Sequence, residues 1–185
     1  MNVKSTLCSF LLLLATFSLA YGQASQASAT YSLGNIKADR SFQLPSHSSS
    51  CPGILSVNIP AGSTITGVDV VYDFEALPGS YKAFQVSQLR CVSPGGLPEA
   101  TVFKNTDYTS GVLKYTRNNL TIANGVAGGG DIVFQLHAGS TFGSVPGCSE
   151  LYERVLNNTW KVTVHYLPPA FPDPPVLPNP ANNAS

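Results

Sequence analysis

The chain has 185 residues, ten acidic and ten basic side chains, and a charged fraction of only 11%. It contains no run of lysine or arginine, so nucleic-acid binding and attraction to acidic membranes both lack an electrostatic basis. The 16 glycines and 14 prolines, together with the scarcity of charge, are typical of an extracellular all-β protein rich in turns.

Residues 1–22 are predicted to be a cleavable secretory signal. Lys4 supplies the positive charge, an apolar run follows from Leu7 to Ala20, and a small residue at Gly22 places cleavage before Gln23. A helix of about 14 residues is roughly 21 Å long, shorter than the ~30 Å hydrocarbon core of a bilayer. An uncleaved N-terminal anchor is the alternative. We therefore expect a secreted or cell-surface protein without membrane insertion.

The mature chain is predicted to begin with a polar, serine-rich segment, 23–50, which has weak strand patterns at 31–33 and 42–44. A tail rich in proline and asparagine covers 168–185. Such a tail cannot pair as a strand and is expected to be extended, polyproline-like and exposed.

Between these segments, residues 51–167 are predicted to form one domain. Apolar and polar residues alternate along each strand pattern, which is the period of half-buried strands. No stretch has a helical period. Seven to nine short antiparallel strands indicate an all-β fold, a β-sandwich or jelly roll. The clearest strand patterns cover 54–59, 66–74, 84–92, 113–117, 131–137 and 159–167.

Three cysteines remain after cleavage, and an oxidising compartment favours one pair. We expect Cys91 to pair with Cys148, because Cys91 ends a strand pattern and Cys148 lies in a Gly/Pro-rich loop that can fold back over it. Closing this loop of about 56 residues stabilises the fold by roughly 4 kcal/mol in the chain-entropy model. Cys51 would then be free, buried or paired between chains. A Cys51–Cys91 bond is the alternative.

The sequence has no motif for catalysis. H-E-x-x-H, C-x-x-C and G-x-S-x-G are all absent. His137 and His165 occupy outward positions of strand patterns, which favours solvated strand residues over metal ligands. We therefore expect a protein that is not an enzyme and that needs no cofactor for catalysis.

Acidic side chains suggest one candidate for a structural ion. Asp73 and Glu75 share strand parity, and a loop carboxylate such as Asp107 or Asp131 could complete a set of hard oxygen ligands for Ca²⁺. A solvated outer face of the strand is the alternative.

Aromatic residues in loops are the candidates for ligand binding. Tyr81, Tyr108, Phe142 and Tyr152 are flanked by Asn, Gln and Ser. Such residues serve sugar or protein recognition, and equally serve ordinary loop packing.

Three segments carry a family resemblance. The stretch 59–70 (IPAGSTITGVDV), the turn 93–96 (SPGG) and the stretch 158–164 (NTWKVTV) resemble the P domain of proprotein convertases and bacterial secreted proteases. Residues 51–166 also resemble an uncharacterised module of bacterial surface proteins. The resemblance implies a jelly roll with an accessory or adhesive role, with Ca²⁺ as an optional structural ion and no catalytic residue.

These observations predict a non-enzymatic module that binds a glycan or protein ligand in an adhesion or accessory role. The alternative is a structural subunit of an extracellular assembly, joined through a Cys51 disulfide or through edge-strand pairing.

Overall fold

The computed structural model describes residues 23–40, 48–142 and 147–170. The signal, the weak strand pattern at 42–44 and residues 171–185 lie outside this part of the chain. The described residues form ten strands and one short 3-10 helix, Lys82–Phe84. The strands are β1 Ser25–Thr30, β2 Ile36–Asp39, β3 Gly53–Ile59, β4 Thr64–Ala76, β5 Gln85–Cys91, β6 Phe103–Lys104, β7 Gly111–Leu120, β8 Gly130–Ser140, β9 Cys148–Val155 and β10 Lys161–Leu167.

The predicted all-β fold is confirmed, with ten strands rather than seven to nine. Their order is β1-β10-β4-β9-β2-β8-β5-β6, with β7 added beside β4 and β3 beside β8. All pairs are antiparallel except β2 with β8, where Asp39 lies opposite Gly139. The sheet folds over so that β1 and β10 pack against β3. The strand set β1-β10-β4-β7 thus forms one layer of a β-sandwich, and β3-β8-β5-β6 forms the other.

The sandwich begins earlier than the sequence indicates. β1 and β2 both lie in the stretch expected to be a polar segment before the domain. β1 pairs with β10 over its whole length, from Ser25 opposite Tyr166 to Thr30 opposite Lys161. Only every second residue of β1 is partly buried, and these are small residues such as Ala27 and Ala29. This weak apolar signal is the reason the sequence pattern does not reveal the strand.

The core lies between the two layers and follows the predicted alternation. Val57 and Ile59 of β3 are buried, as are Val162 and Val164 of β10. Trp160, directly before β10, is fully buried, and its ring centroid lies 5.5 Å from that of Tyr31. Removing this apolar surface from water is the main force that holds the layers together.

The predicted cysteine pairing is wrong, because Cys51 is bonded to Cys148. Cys148 does not lie in a loop but begins β9, where it is opposite Asp39 of β2. Cys91 is the free cysteine and is buried in the core, opposite Phe134 of β8. Its side chain therefore points away from the edge where the bond forms. The internal bond also leaves Cys51 unable to link two chains.

His137 differs from its prediction as well. It occupies an outward position of β8, yet it is only 2% exposed. The segment at Ser49 covers it, and the Ser49 backbone N–H donates a hydrogen bond of 2.9 Å to Nδ1 of His137. A strand face that appears solvated in the sequence pattern is thus covered by chain that precedes β3.

Across the described ranges, no helix has the length and apolar character needed to cross a membrane.

Candidate functional site

The four predicted aromatics come together around a fifth ring, Phe84, although Tyr152 lies within β9 rather than in a loop. We call this set the aromatic cluster: Tyr81, Phe84, Tyr108, Phe142 and Tyr152. The ring centroid of Tyr81 lies 5.5 Å from that of Phe84 and 6.2 Å from that of Tyr108. The centroids of Phe84 and Tyr108 are also 6.2 Å apart. Phe84 stacks on Phe142 with a centroid distance of 4.8 Å, and Phe142 lies 6.4 Å from Tyr152. Tyr81, Phe84 and Tyr108 therefore form a triangle, and Phe142 and Tyr152 extend it into a continuous row.

The row is open to solvent. Tyr108 is 70% exposed, Tyr81 45% and Phe142 42%, whereas Phe84 and Tyr152 are half-buried beneath them. Single exposed apolar residues are common on protein surfaces, but contiguous groups mark interaction sites.

Backbone hydrogen bonds fix the segments that carry the rings. The N–H groups of Lys82 and Ala83 donate to the carbonyl oxygens of Thr109 and Asp107, at 3.0 and 2.7 Å. The Thr141 N–H donates to the Phe84 carbonyl at 2.9 Å. These bonds join the segment before β5, the segment before β7 and the end of β8. The surface is thus largely formed before any ligand arrives, which lowers the entropy cost of binding.

A polar group borders the Tyr108 end of the row. Lys82 Nζ lies 3.1 Å from Asp107 Oδ2, and the Thr109 hydroxyl donates to the same oxygen at 2.9 Å. The hydrogen bond from Thr109 and the interaction with Lys82 hold the pKa of Asp107 below its ordinary value. Asp107 is therefore an ionised acceptor at the rim of the cluster.

Arg40 borders the other end. Its guanidinium carbon lies 4.3 Å from the centroid of the Tyr152 ring, which is the geometry of a cation–π contact. The residue follows β2 and is half-buried. Its Nε is buried and finds no hydrogen-bond acceptor among the described residues.

Beneath the row lies a buried carboxyl group, Glu153 of β9, which is 1% exposed. It accepts a hydrogen bond from the Ser80 hydroxyl, and Ser140, whose hydroxyl donates to the Phe142 carbonyl at 3.2 Å, lies beside it. Burial raises the pKa of Glu153, although these two serines and the charge of Arg40 act in the opposite direction. Both serines are connected to a cluster ring. Ser80 directly precedes Tyr81 in the chain, and the Ser140 hydroxyl accepts a hydrogen bond of 3.1 Å from the Phe142 N–H.

The four predicted calcium ligands are not brought together. Glu75 forms an ion pair with Arg154 at 2.8 Å, and Asp107 is paired with Lys82. Asp131 accepts a hydrogen bond of 3.0 Å from the Asn58 side chain, and Asp73 lies opposite Lys114 on the neighbouring strand. Within the part of the chain that the structure describes, no group of three or more His, Cys, Asp or Glu side chains could hold a metal ion.

A buried polar network was missed by the sequence analysis. Arg117 contacts both carboxylate oxygens of Glu99, at 2.5 and 3.0 Å, and donates to the Tyr72 hydroxyl at 2.9 Å. Tyr72 also bonds to the Ser87 hydroxyl. Burial raises the pKa of Tyr72, so its hydroxyl stays protonated. The one signal in the sequence is parity, because Arg117 shares the inward parity of Leu113 and Tyr115.

This network borders an open cavity of about 550 Å³, lined by residues 97–101 and 117–122. Both oxygens of Glu99 are occupied there, one of them also by the Leu89 N–H at 2.6 Å. The network therefore links β4, β5 and β7 across the sandwich and serves the fold.

The chain matches no protein-family model and no curated protein. Among solved structures it is similar to VP2 of infectious bursal disease virus in its subviral particle, with 7% sequence identity and a TM-score of 0.35. The match covers 78% of this chain and 33% of the viral chain, so this chain spans about a third of that protein's length. So low a similarity has no bearing on function. Of the resemblance to the P domain, only the β-sandwich fold is confirmed, and the rest stays a prediction.

Proposed function

We propose that this protein is a secreted or cell-surface, non-enzymatic module that binds glycan through the aromatic cluster, in an adhesion or accessory role. The observation that supports this is the continuous row of five rings, three of them more than 40% exposed, on a hydrogen-bonded backbone. Burying exposed apolar surface on such a preformed site favours association, because few side chains or loops have to be ordered when the ligand binds.

The chemistry of the site favours a sugar chain. The C–H face of a pyranose packs on an aromatic ring, and its hydroxyls exchange hydrogen bonds with polar groups at the edge. Tyr81 and Tyr108 offer both a ring and a hydroxyl. Asp107 adds a carboxylate acceptor and Lys82 an ammonium donor beside Tyr108. Because the rings form a row, an extended oligosaccharide fits better than a single sugar.

Two further features support export. The predicted signal directs the chain out of the cytoplasm. The Cys51–Cys148 disulfide is of the kind that persists in oxidising compartments.

The test is a glycan array with the mature protein, followed by titration of any glycan that binds. Tyr108→Ala and Phe142→Ala are each expected to weaken binding at least about tenfold, since hot-spot aromatics are worth roughly 1–4 kcal/mol. Val92→Ala is the matched control, because Val92 is 45% exposed and lies outside the cluster. Glycan binding that is unaffected by the cluster variants, or the absence of any glycan ligand, would reject the proposal.

A second candidate, a structural subunit, is supported by the edge of β7. In the described ranges this ten-residue strand pairs only with β4, so its other edge has no strand neighbour. Unpaired edges can pair with another chain. Analytical ultracentrifugation decides this: a monomer at high concentration is incompatible with self-assembly through β7, and a dimer dispersed by Thr116→Pro supports it.

A further inference from the structure

Arg40 is a cation at the aromatic cluster and forms no ion pair with another described residue. The ion pairs of the described residues use Lys82, Arg117, Arg154 and His165, and none uses Arg40. Outside the described ranges, the sequence has one acidic side chain, Asp173 of the predicted tail. The guanidinium rests on Tyr152, and its Nε has no acceptor among the described residues.

The buried acid beneath the row forms no ion pair with it. Glu153 is almost fully buried and accepts a hydrogen bond from the Ser80 hydroxyl, and burial raises its pKa. Its attraction to Arg40 is the weakest of the influences on that pKa. A guanidinium that is partly removed from water without an anionic partner carries a desolvation penalty, and a cation–π contact offsets only part of it.

The opposite end of the row is different. There Lys82 and Asp107 form an ion pair and leave no net charge. Among the described residues, the aromatic cluster therefore has one positive charge outside an ion pair, located at the Tyr152 end. An anionic group on the ligand would meet that charge while the sugar rings pack on the row.

We infer that the ligand of the aromatic cluster is an acidic oligosaccharide, whose anionic group pairs with Arg40 while its sugar rings pack along the row toward Tyr108. This inference rests on the proposed function, since it requires that the cluster binds glycan. Planar guanidinium groups bind carboxylates and sulfate-like anions through paired hydrogen bonds. The anionic group can thus be a uronic-acid carboxylate or a sulfate ester.

The experiment compares matched ligands by calorimetric titration of the mature protein. One set is a uronic-acid oligosaccharide and the same compound with its carboxyl groups reduced to alcohols. The other is a neutral oligosaccharide with and without sulfate esters. We expect the acidic member of one set to bind about tenfold to a hundredfold more tightly than its neutral form, with the difference shrinking as salt is added. The set that shows the preference identifies the anionic group.

Variants assign the preference to Arg40. Arg40→Gln should abolish the difference between acidic and neutral ligands, whereas Arg40→Lys should retain part of it, and Val92→Ala should leave the difference unchanged. Tyr108→Ala should weaken both forms equally. If Arg40→Gln does not fold, the salt dependence of the matched ligands still decides the question.

Equal binding of acidic and neutral forms by the wild type would overturn the inference while leaving glycan binding intact. An acid preference that persists in Arg40→Gln would also overturn it. If no oligosaccharide binds, or if Tyr108→Ala has no effect, the proposed function fails together with the inference.

Discussion

Cys51 and Cys148 are 97 positions apart in the chain and are joined by a disulfide, with their Cα atoms 6.3 Å apart. Cys51 lies two residues before β3, and Cys148 is the first residue of β9. The bond thus ties the second layer to the strand that carries Tyr152 and Glu153. It also holds β9 near Arg40, whose N–H donates to the Gly147 carbonyl at 3.1 Å.

Removing this bond should destabilise the protein strongly. Because the closed loop approaches 100 residues, the double variant Cys51→Ser and Cys148→Ser is expected to lose about 4–5 kcal/mol in free energy of unfolding. Urea denaturation followed by the fluorescence of Trp160 measures it. Cys91→Ala is the control and should cost only about 1 kcal/mol, because it removes one small buried group. Peptide mapping that linked Cys91 to either of the other cysteines would contradict the assignment.

The ion pair of Arg117 and Glu99 should contribute differently from the pairs at the surface. Their side chains are 10% and 6% exposed, so Arg117→Met leaves a buried carboxylate without its partner and is expected to cost about 3–5 kcal/mol. Arg154→Met is the matched control at the more exposed Glu75 pair and should cost about 0–1 kcal/mol. Chemical denaturation of both variants provides the comparison. Similar losses of unfolding free energy in the two variants would show that the burial of the Arg117–Glu99 pair does not increase its contribution to stability.

Much of the fold could be predicted from sequence because strand parity is a local property. Alternation placed Val57, Val70 and Trp160 inward, and all three are buried. The cysteine pairing could not be predicted, because it depends on β2 lying between β9 and β8. β2 has only four residues and lies in a stretch without a clear apolar pattern.

The site was predictable in its parts but not in its assembly. Four cluster rings were identified because they lie between strand patterns. Phe84 was assigned to a strand, whereas it ends the 3-10 helix, Lys82–Phe84. Convergence of these segments depends on long-range contacts such as the Thr141 N–H to Phe84 carbonyl bond. The acidic residues failed as a metal site for a similar reason, since their partners, such as Lys114 and Arg154, come from other strands.

The predicted turn at 93–96 contains a glycine that the packing requires. A Cβ on Gly96 would lie 2.6 Å from both the carbonyl oxygen and the sulfur of Cys91. Gly96→Ala must therefore displace the end of β5, and we expect a loss of about 1–3 kcal/mol. Gly67→Ala is the control, because its Cβ would meet only the movable side chain of Asn119 within 3.4 Å. Thermal unfolding of the two variants tests this, and equal melting temperatures would refute the requirement at Gly96.

Glu153 should make stability depend on pH in a direction opposite to most carboxylates. Burial raises its pKa in the folded state above the unfolded value, near 4.5, so the folded protein binds this proton more tightly. The contribution of Glu153 to stability is therefore fully present below pH 4.5 and is lost as the pH rises through the folded-state pKa. The variant Glu153→Gln has no titratable group at this position, so its stability lacks this dependence on pH.

We therefore expect the difference in melting temperature between Glu153→Gln and the wild type to shift in favour of the variant as the pH rises from 4 to 7. Calorimetric scans of both proteins at each pH measure this difference, in which the contributions of other groups cancel. Asp107, whose pKa is lowered, acts in the opposite direction and at lower pH: its contribution is present above the unfolded value of 3.8 and is lost as the pH falls below it, so Asp107→Asn is expected to gain on the wild type only below this range. A difference that stays constant over this range would mean that Glu153 keeps its charge beneath the aromatic cluster. Arg40 would then already have a counter-ion there, which connects this measurement to the ligand preference of the site.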